Sequence, residues 1–297
     1  MERLGFYSPR FNMRYGHEWL IKEAKANVVI FTGMEEHSAR YDRFATYLNK
    51  AGYSVYCLDS FGQGENAEHD GKGVWPKYGF IEQVDLFYDF LKDLKKQNKP
   101  LYIFSHSMGS FMAQLFLEIH PGTGDKFVIC GSGANAGALK PGLLLARMHV
   151  HKYNWNKKSH FLARMMFASL TKSVKNYKTR YDWLSYNEDN VNRYNEDPLC
   201  GYGPNNGFCL TFLEGMVAIY RKENMKRVSP KAKIFLISGK DDPVSHNGAD
   251  TKWLHDNYKA HGVEDVSMKL YDHMRHEILN EDAWEDVAQD IVNFFNK

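Results

Sequence analysis

The chain has 297 residues, 43% of them hydrophobic and 25% charged, which is ample apolar material for a sizeable core. A formal net charge of +2, with no arginine-rich block, gives no sign of a nucleic-acid partner. At roughly 150 residues per domain the length suggests about two units, or one α/β core enlarged by an insertion.

The first residues, MERLGFYSPRFNMRYG, lack the apolar stretch of a secretory signal. Val28–Phe31 and similar runs fall far short of the ~20 residues that span a bilayer. A soluble, cytoplasmic protein is therefore expected. Val28–Thr32 is the first predicted strand, and Arg40–Lys50 the first helix. Ser54–Asp59 follows as a strand, then a helix over Glu82–Lys96, with Leu86, Phe90, Leu91 and Leu94 on one face. Leu101–Ser105 (strand), Ser110–His120 (helix) and Phe127–Gly131 (strand) continue the alternation. From about Leu139 to Lys226 no convincing strand appears: Leu143–His151 and His160–Leu170 fit helices, and the rest is polar, rich in Asn, Tyr and Lys. Ile234–Ser238 and Val266–Leu270 resume the strands, with helices over Asn247–Tyr258 and Glu281–Phe295. Continuous apolar strands separated by helices predict an α/β fold, a mostly parallel central sheet flanked by helices on both faces. Residues 1–138 and 227–297 form its core, and 139–226 a helical insertion.

Ser105-His-Ser107-Met-Gly109 ends a strand and opens a helix. That context suits a nucleophile elbow, G-x-S-x-G, with Ser105 in place of the first glycine. A serine hydroxyl needs a neighbouring base, and in this arrangement an acid and then a histidine follow in the chain. Gly239–Val244 offers Asp241 and Asp242, and Tyr271–Glu277 offers His273 and His276, each beyond the carboxyl end of a strand, where catalytic groups gather in open α/β sheets. An oxyanion hole needs two backbone N–H groups. Met108, just after the serine, supplies one; Met34, in the loop after the first predicted strand where Gly33 lets the backbone turn inward, supplies the other.

Cys57, Cys130, Cys200 and Cys209 show no C-x-x-C pairing and read as reduced thiols, with a Cys200–Cys209 bridge as the alternative. His149 and His151 have no companion carboxylate or cysteine at metal-ligand spacing, so neither metal nor other cofactor is expected. His37, beside Glu36, reads as a loop brace.

Taken together, these motifs resemble the monoacylglycerol lipase and lysophospholipase branch of the α/β hydrolases. That branch carries H-G-x-G-E-H-S-x-R-Y where this chain has Thr32–Tyr41, and D-x-x-G-x-G-x-S where it has Asp59–Asn66. Its G-H-S-M-G stands at Ser105–Gly109, its G-x-x-D-P-V at Gly239–Val244, and its R-H-E-x-x-N-E at Arg275–Glu281. The resemblance implies Ser107 as nucleophile, Asp242 rather than Asp241 as acid and His276 rather than His273 as base, with a helical cap over the site. Thr32 for histidine, Met34 and Glu35 crowding a loop usually lighter in side chains, and Ser105 for glycine are departures that bear on substrate fit near the oxyanion loop.

The expected reaction is hydrolysis of an acyl ester, monoacylglycerol, lysophospholipid or a short or medium acyl ester, with the small molecule as the partner. Amide cleavage on the same core is one alternative and a non-catalytic binding protein another. In the insertion, Phe161, Met165 and Met166 are expected to line the acyl pocket together with Gly33, or else to pack the cap onto the core. Lys152, Lys157, Lys158, Lys172, Lys175, Lys178 and Arg180 make the insertion basic, which suits transient contact with anionic lipid or simply a solvated face.

Overall fold

The computed structural model describes residues 1–134 and 139–297. The boundary drawn at residue 138 falls in 135–138, outside the described residues. One eight-stranded sheet runs through the molecule in the order β1-β2-β4-β3-β5-β6-β7-β8. Its strands are β1 (Glu2–Ser8), β2 (Asn12–Trp19), β3 (Ala26–Phe31), β4 (Tyr53–Leu58), β5 (Leu101–His106), β6 (Lys126–Cys130), β7 (Lys233–Gly239) and β8 (Asp265–Tyr271). β1, β2 and β4 pair antiparallel, and every other neighbouring pair is parallel. This is the α/β-hydrolase fold.

The six predicted strands correspond to β3–β8, whose inner members are buried on both faces. Sequence pattern missed the β1–β2 hairpin. In β1 only Leu4, Phe6 and Ser8 turn inward, and the alternate residues are exposed, as in a strand with one solvated face.

Alternate strand residues feed two separate cores. Val29, Phe31, Ile103, Ile129, Ile234 and Leu236 face one helical layer: α2 (Gly79–Leu94), α3 (Met108–Ile119), α7 (Asn206–Ile219) and α8 (Ala249–Ala260). Val28, Ile30, Val55, Phe104, Val128 and Ile237 face the other, α1 (Asp42–Lys50) and α9 (Trp284–Asn296). Each large side chain wholly buried this way contributes about 1.5–3 kcal/mol. All four cysteines are buried and free, so Cys200 and Cys209 form no bridge.

Between β6 and β7 the chain supplies α4 (Leu139–His149), α5 (His160–Lys172), α6 (Glu188–Glu196) and α7. The last two were not predicted. No described helix is long and apolar enough to cross a membrane.

Candidate active site

β5 delivers Ser107 to a turn with φ 52° and ψ −119°, left-handed space that a non-glycine residue occupies at a cost of about 1–3 kcal/mol. Two backbone bonds hold the strained turn: Ser107 N–H donates to the Cys130 carbonyl (3.0 Å) and Ser110 N–H to that of Ser107 (2.9 Å). A Cβ at Gly109 would collide with the Phe31 and Thr32 carbonyl oxygens, so that position of the motif is sterically closed. Ser105 fits where relatives of the motif have glycine because its hydroxyl donates to the Val128 carbonyl on β6 at 2.8 Å.

The loop after β7 buries Asp242 completely. Its carboxylate accepts from His276 Nδ1 (3.0 Å), Val244 N–H (2.9 Å) and the Ser238 hydroxyl (3.0 Å). Burial alone pushes this carboxyl up, but the charge and hydrogen bond of His276 and the other two donors outweigh it and hold it low. Asp241, by contrast, is exposed and accepts from the Tyr186 hydroxyl (3.1 Å), and His273 is exposed in the turn after β8.

His276 is 1% exposed, and its buried Nε2 has no hydrogen-bond partner among the described residues. Ser107 and His276 line the same cavity, of about 430 Å³. Gly131, at the end of β6, makes room for the ring: a Cβ there would come within 3.0 Å of the imidazole. Trp183 packs on His276 from the helical segment, with ring centroids 5.1 Å apart.

The Gly33–Glu36 loop forms the facing wall. Glu36 accepts from Gly33 N–H, Tyr41 Oη (2.8 Å) and Arg40 (2.7 Å). Gln63 braces the same loop, donating to the Gly33 carbonyl (3.0 Å) and accepting from Glu35 N–H (2.7 Å). Gly33 N–H is thus occupied, whereas Met34 and Met108 N–H have no acceptor among the described hydrogen bonds. His106 Nε2–H donates to the His276 carbonyl (3.2 Å), and its Nδ1 lies 3.5 Å from Glu36. Burial lowers the His106 pKa, but the Glu36 hydrogen bond and charge win and raise it. Glu36 is held well below the usual carboxylate range: burial pushes it up, and His106, Arg40 and Tyr41 more than offset that.

Arg40 also reaches Glu277, the residue after His276, through two bonds of 2.8 Å each, and Asn190 donates to the same carboxylate (2.6 Å). Glu281 accepts from Arg275 N–H (2.8 Å), the Ser185 hydroxyl (2.7 Å) and Tyr186 N–H (3.0 Å). These bonds give the R-H-E-x-x-N-E residues a physical job: they fasten the His276 loop to the segment before α6. His37 ties its own loop to Asp197 at 2.9 Å. With Cys200 these two bring potential ligand atoms within 4.8 Å of one another, but the hydrogen bond between His37 and Asp197 and the adjacent Arg40 charge make the trio a clamp.

Gly33 and Met34 line the cavity, and Met108 lies buried beneath it. Phe161, Met165 and Met166 do not line it. Phe161 and Met165 are 53% and 38% exposed on the outer face of α5, and Met166 packs against the core. Ala163, Arg164, Phe167, Ala168 and Thr171, on another face of the same helix, meet the cavity. Apolar periodicity locates a helix's greasy side and says nothing of which side faces a site. Glu35, Lys158, Arg180, Tyr194 and Tyr202 complete the polar lining. The sequence marked Glu35 only as a departure from the family motif and Lys158 and Arg180 only as part of a basic insertion, because these residues meet at the cavity only through the tertiary fold.

Comparison with known proteins adds the following. A family model described as Hydrolase_4, serine aminopeptidase S33, matches residues 22–283. A monoacylglycerol lipase of Mycolicibacterium smegmatis is 23% identical over 272 residues, covering 90% of this chain and 86% of its own. Lysophospholipase L2 of Escherichia coli is 30% identical over 108 residues, 34% of this chain and 31% of that protein. The crystal structure of a thermostable carboxyl esterase from Bacillus coagulans superimposes with a TM-score of 0.92 at 25% identity, covering 99% of this chain and 97% of that one. A soluble variant of monoglyceride lipase from Saccharomyces cerevisiae shares the fold, with a TM-score of 0.74 at 17% identity over 100% and 95% of the two chains.

Proposed function

The chain belongs to the Hydrolase_4 (serine aminopeptidase S33) family and is a carboxylic ester hydrolase of the α/β type, and from that premise we propose that it cleaves acyl esters, monoacylglycerols and lysophospholipids among them, through an acyl-enzyme on Ser107. The observation that carries this reading is the His276 imidazole, with Nδ1 bonded to a buried Asp242 at 3.0 Å and an unpartnered Nε2 beside the cavity that Ser107 lines.

In the cycle, His276 Nε2 takes the Ser107 proton as Oγ adds to the ester carbonyl. Asp242 holds the proton on Nδ1 and stabilises the imidazolium. Met34 and Met108 N–H groups receive the oxyanion, each such donor being worth ~10²–10³ in rate. His276 then protonates the departing alcohol. Water, deprotonated by the same nitrogen, adds to the acyl carbon and releases the acid and free Ser107. No step calls on a metal.

Residues 139–226 act as a cap in this scheme, sheltering the acyl chain with Ala163, Phe167, Ala168, Trp183 and Leu184 over the Met34 side chain. Amide cleavage from a free N-terminus calls for a carboxylate to hold an ammonium; the cavity offers Glu35, but Lys158, Arg164 and Arg180 around it disfavour a cationic substrate. Turnover of an acyl ester should accordingly exceed that of an aminoacyl amide. A fluorophosphonate probe should label the native protein and fail to label Ser107→Ala. An unlabelled wild type would sink the reading.

The outward face of the cap supports a second role. Leu144, Met148 and Phe161 are 62%, 76% and 53% exposed, alongside Lys152, Lys157 and other basic side chains. Such a face suits transient docking on anionic lipid, at about 1 kcal/mol per basic residue near the surface. Sedimentation with phosphatidylserine vesicles is expected at low salt, falling as salt rises and weakening in Met148→Glu. Absence of binding at low salt refutes it.

A further inference from the structure

Glu35 stands apart from the machinery just described. It occupies the left-handed region, with φ 55°, where glycine is the unstrained choice. Its side chain is buried, 9% exposed, and lines the cavity next to Met34. One carboxyl oxygen accepts from Gly203 N–H at 3.1 Å, and the other, Oε1, has no partner among the described residues. A buried carboxyl oxygen left unsatisfied is costly, and the backbone strain adds to that. A structural purpose does not explain both penalties: the Glu35 carbonyl already anchors Tyr194 Oη (3.0 Å) and Gly201 N–H (3.1 Å), a task any residue performs.

We propose that Glu35 is a specificity-determining residue that hydrogen-bonds a hydroxyl on the alcohol side of the scissile ester, selecting esters of a polyol over esters of a simple alkanol. This rests on the ester-hydrolase reading above. Glu35 follows directly on Met34, the proposed oxyanion donor, so its carboxyl stands within a residue of where the ester carbonyl binds. Its surroundings choose the ligand. Lys158 and Arg180 act on Glu35 through their charges, which argues against an ammonium on the substrate, and a neutral hydroxyl can donate to the carboxylate or accept from the acid. Burial, opposed by the Gly203 bond and those two cations, raises the Glu35 pKa to about 7. Between its two protonation states the ionised one makes the stronger bond to a hydroxyl. Preference for the polyol ester therefore rises as pH increases through about 7.

The experiment measures kcat/KM for 1-decanoylglycerol and methyl decanoate in wild type, Glu35→Gln and Glu35→Gly, from pH 5.5 to 8.5, with melting temperatures alongside. In Glu35→Gly the ratio of glycerol ester to methyl ester falls about 10- to 100-fold, the loss of one hydrogen bond to a charged group. Its melting temperature rises, because glycine relieves the left-handed backbone and the stranded carboxyl is gone. Glu35→Gln keeps part of the preference and loses its pH dependence. Using a ratio removes any titration common to both substrates. An unchanged ratio, or both esters falling equally in Glu35→Gly, overturns the proposal, and a lowered melting temperature with an unchanged ratio assigns Glu35 a structural job instead. A wild type that hydrolyses neither ester overturns the underlying reading, and this proposal with it.

Discussion

Asp242→Asn is expected to lower kcat by about 10⁴-fold while the protein remains folded. In the wild type the three donors around Asp242 all point at acceptor oxygens: His276 Nδ1, Val244 N–H and the Ser238 hydroxyl. A carboxamide must turn its NH₂ towards one of them. If that one is His276, Nδ1 becomes an acceptor, the imidazole proton moves to Nε2, and the nitrogen facing the cavity can no longer take the Ser107 proton. The imidazolium formed during attack also loses its counter-charge in a fully buried setting. KM should move much less than kcat, since Asp242 is absent from the cavity lining. The control is Asp241→Asn, on the exposed neighbour, which should stay within about tenfold of wild type. A larger loss at Asp241 than at Asp242 would reverse the assignment.

Arg40→Met should destabilise the fold by about 3–5 kcal/mol, read as a lowered urea midpoint. The Arg40 side chain is only 12% exposed and neutralises two carboxylates that are each 4% exposed, Glu36 and Glu277. Removing it leaves two like charges buried without a cation between them. The pH dependence follows from the same pair. In the wild type both carboxyl pKa values are lowered, burial being outweighed at Glu36 by His106, Arg40 and Tyr41, and at Glu277 by Arg40. A carboxyl with a depressed folded-state pKa adds stability above its unfolded value of about 4.3, and that stability is lost as pH falls through the folded value. Wild type is therefore expected to weaken only below about pH 4. In Arg40→Met the two carboxyls lose their cation, their pKa values rise, and the decline on acidification should begin at higher pH. A urea midpoint unchanged by the substitution would show that the network contributes nothing.

Much of this was legible from the chain alone, for definable reasons. β3–β7 are buried on both faces or nearly so, and their apolar runs stand out against polar surroundings, whereas the edge strand β8 is only partly buried. The β1–β2 hairpin has only one inward face and escaped notice. α7 escaped for the opposite reason: Phe208, Cys209, Phe212, Leu213, Met216 and Ile219 are buried all round it, so no polar stripe marks a helical period. The structure packs Trp155 against its Gly207 and Phe80 against its Gly215, where a Cβ would collide. Strand ends singled out Ser107 and narrowed the acid to Asp241 or Asp242 and the base to His273 or His276; only the family resemblance chose Asp242 and His276 between them. Glu35 was visible only as a departure from a familiar pattern. Its meaning depends on Gly203, which is brought to it from a distant part of the chain.

The fastening of the His276 loop has a consequence for traffic. Arg275 donates to the Asp182 carbonyl at 2.7 Å, Glu277 N–H to that of Leu184 at 2.7 Å, and Glu281 grips Ser185 and Tyr186. Swinging the cap away on that flank would pull His276 out of line with Asp242. α5 is held far more lightly, with Leu162 its one fully buried residue. If the proposed cycle holds, passage of ester and acid is expected past α5, and the opposite flank is expected to stay fixed to the core.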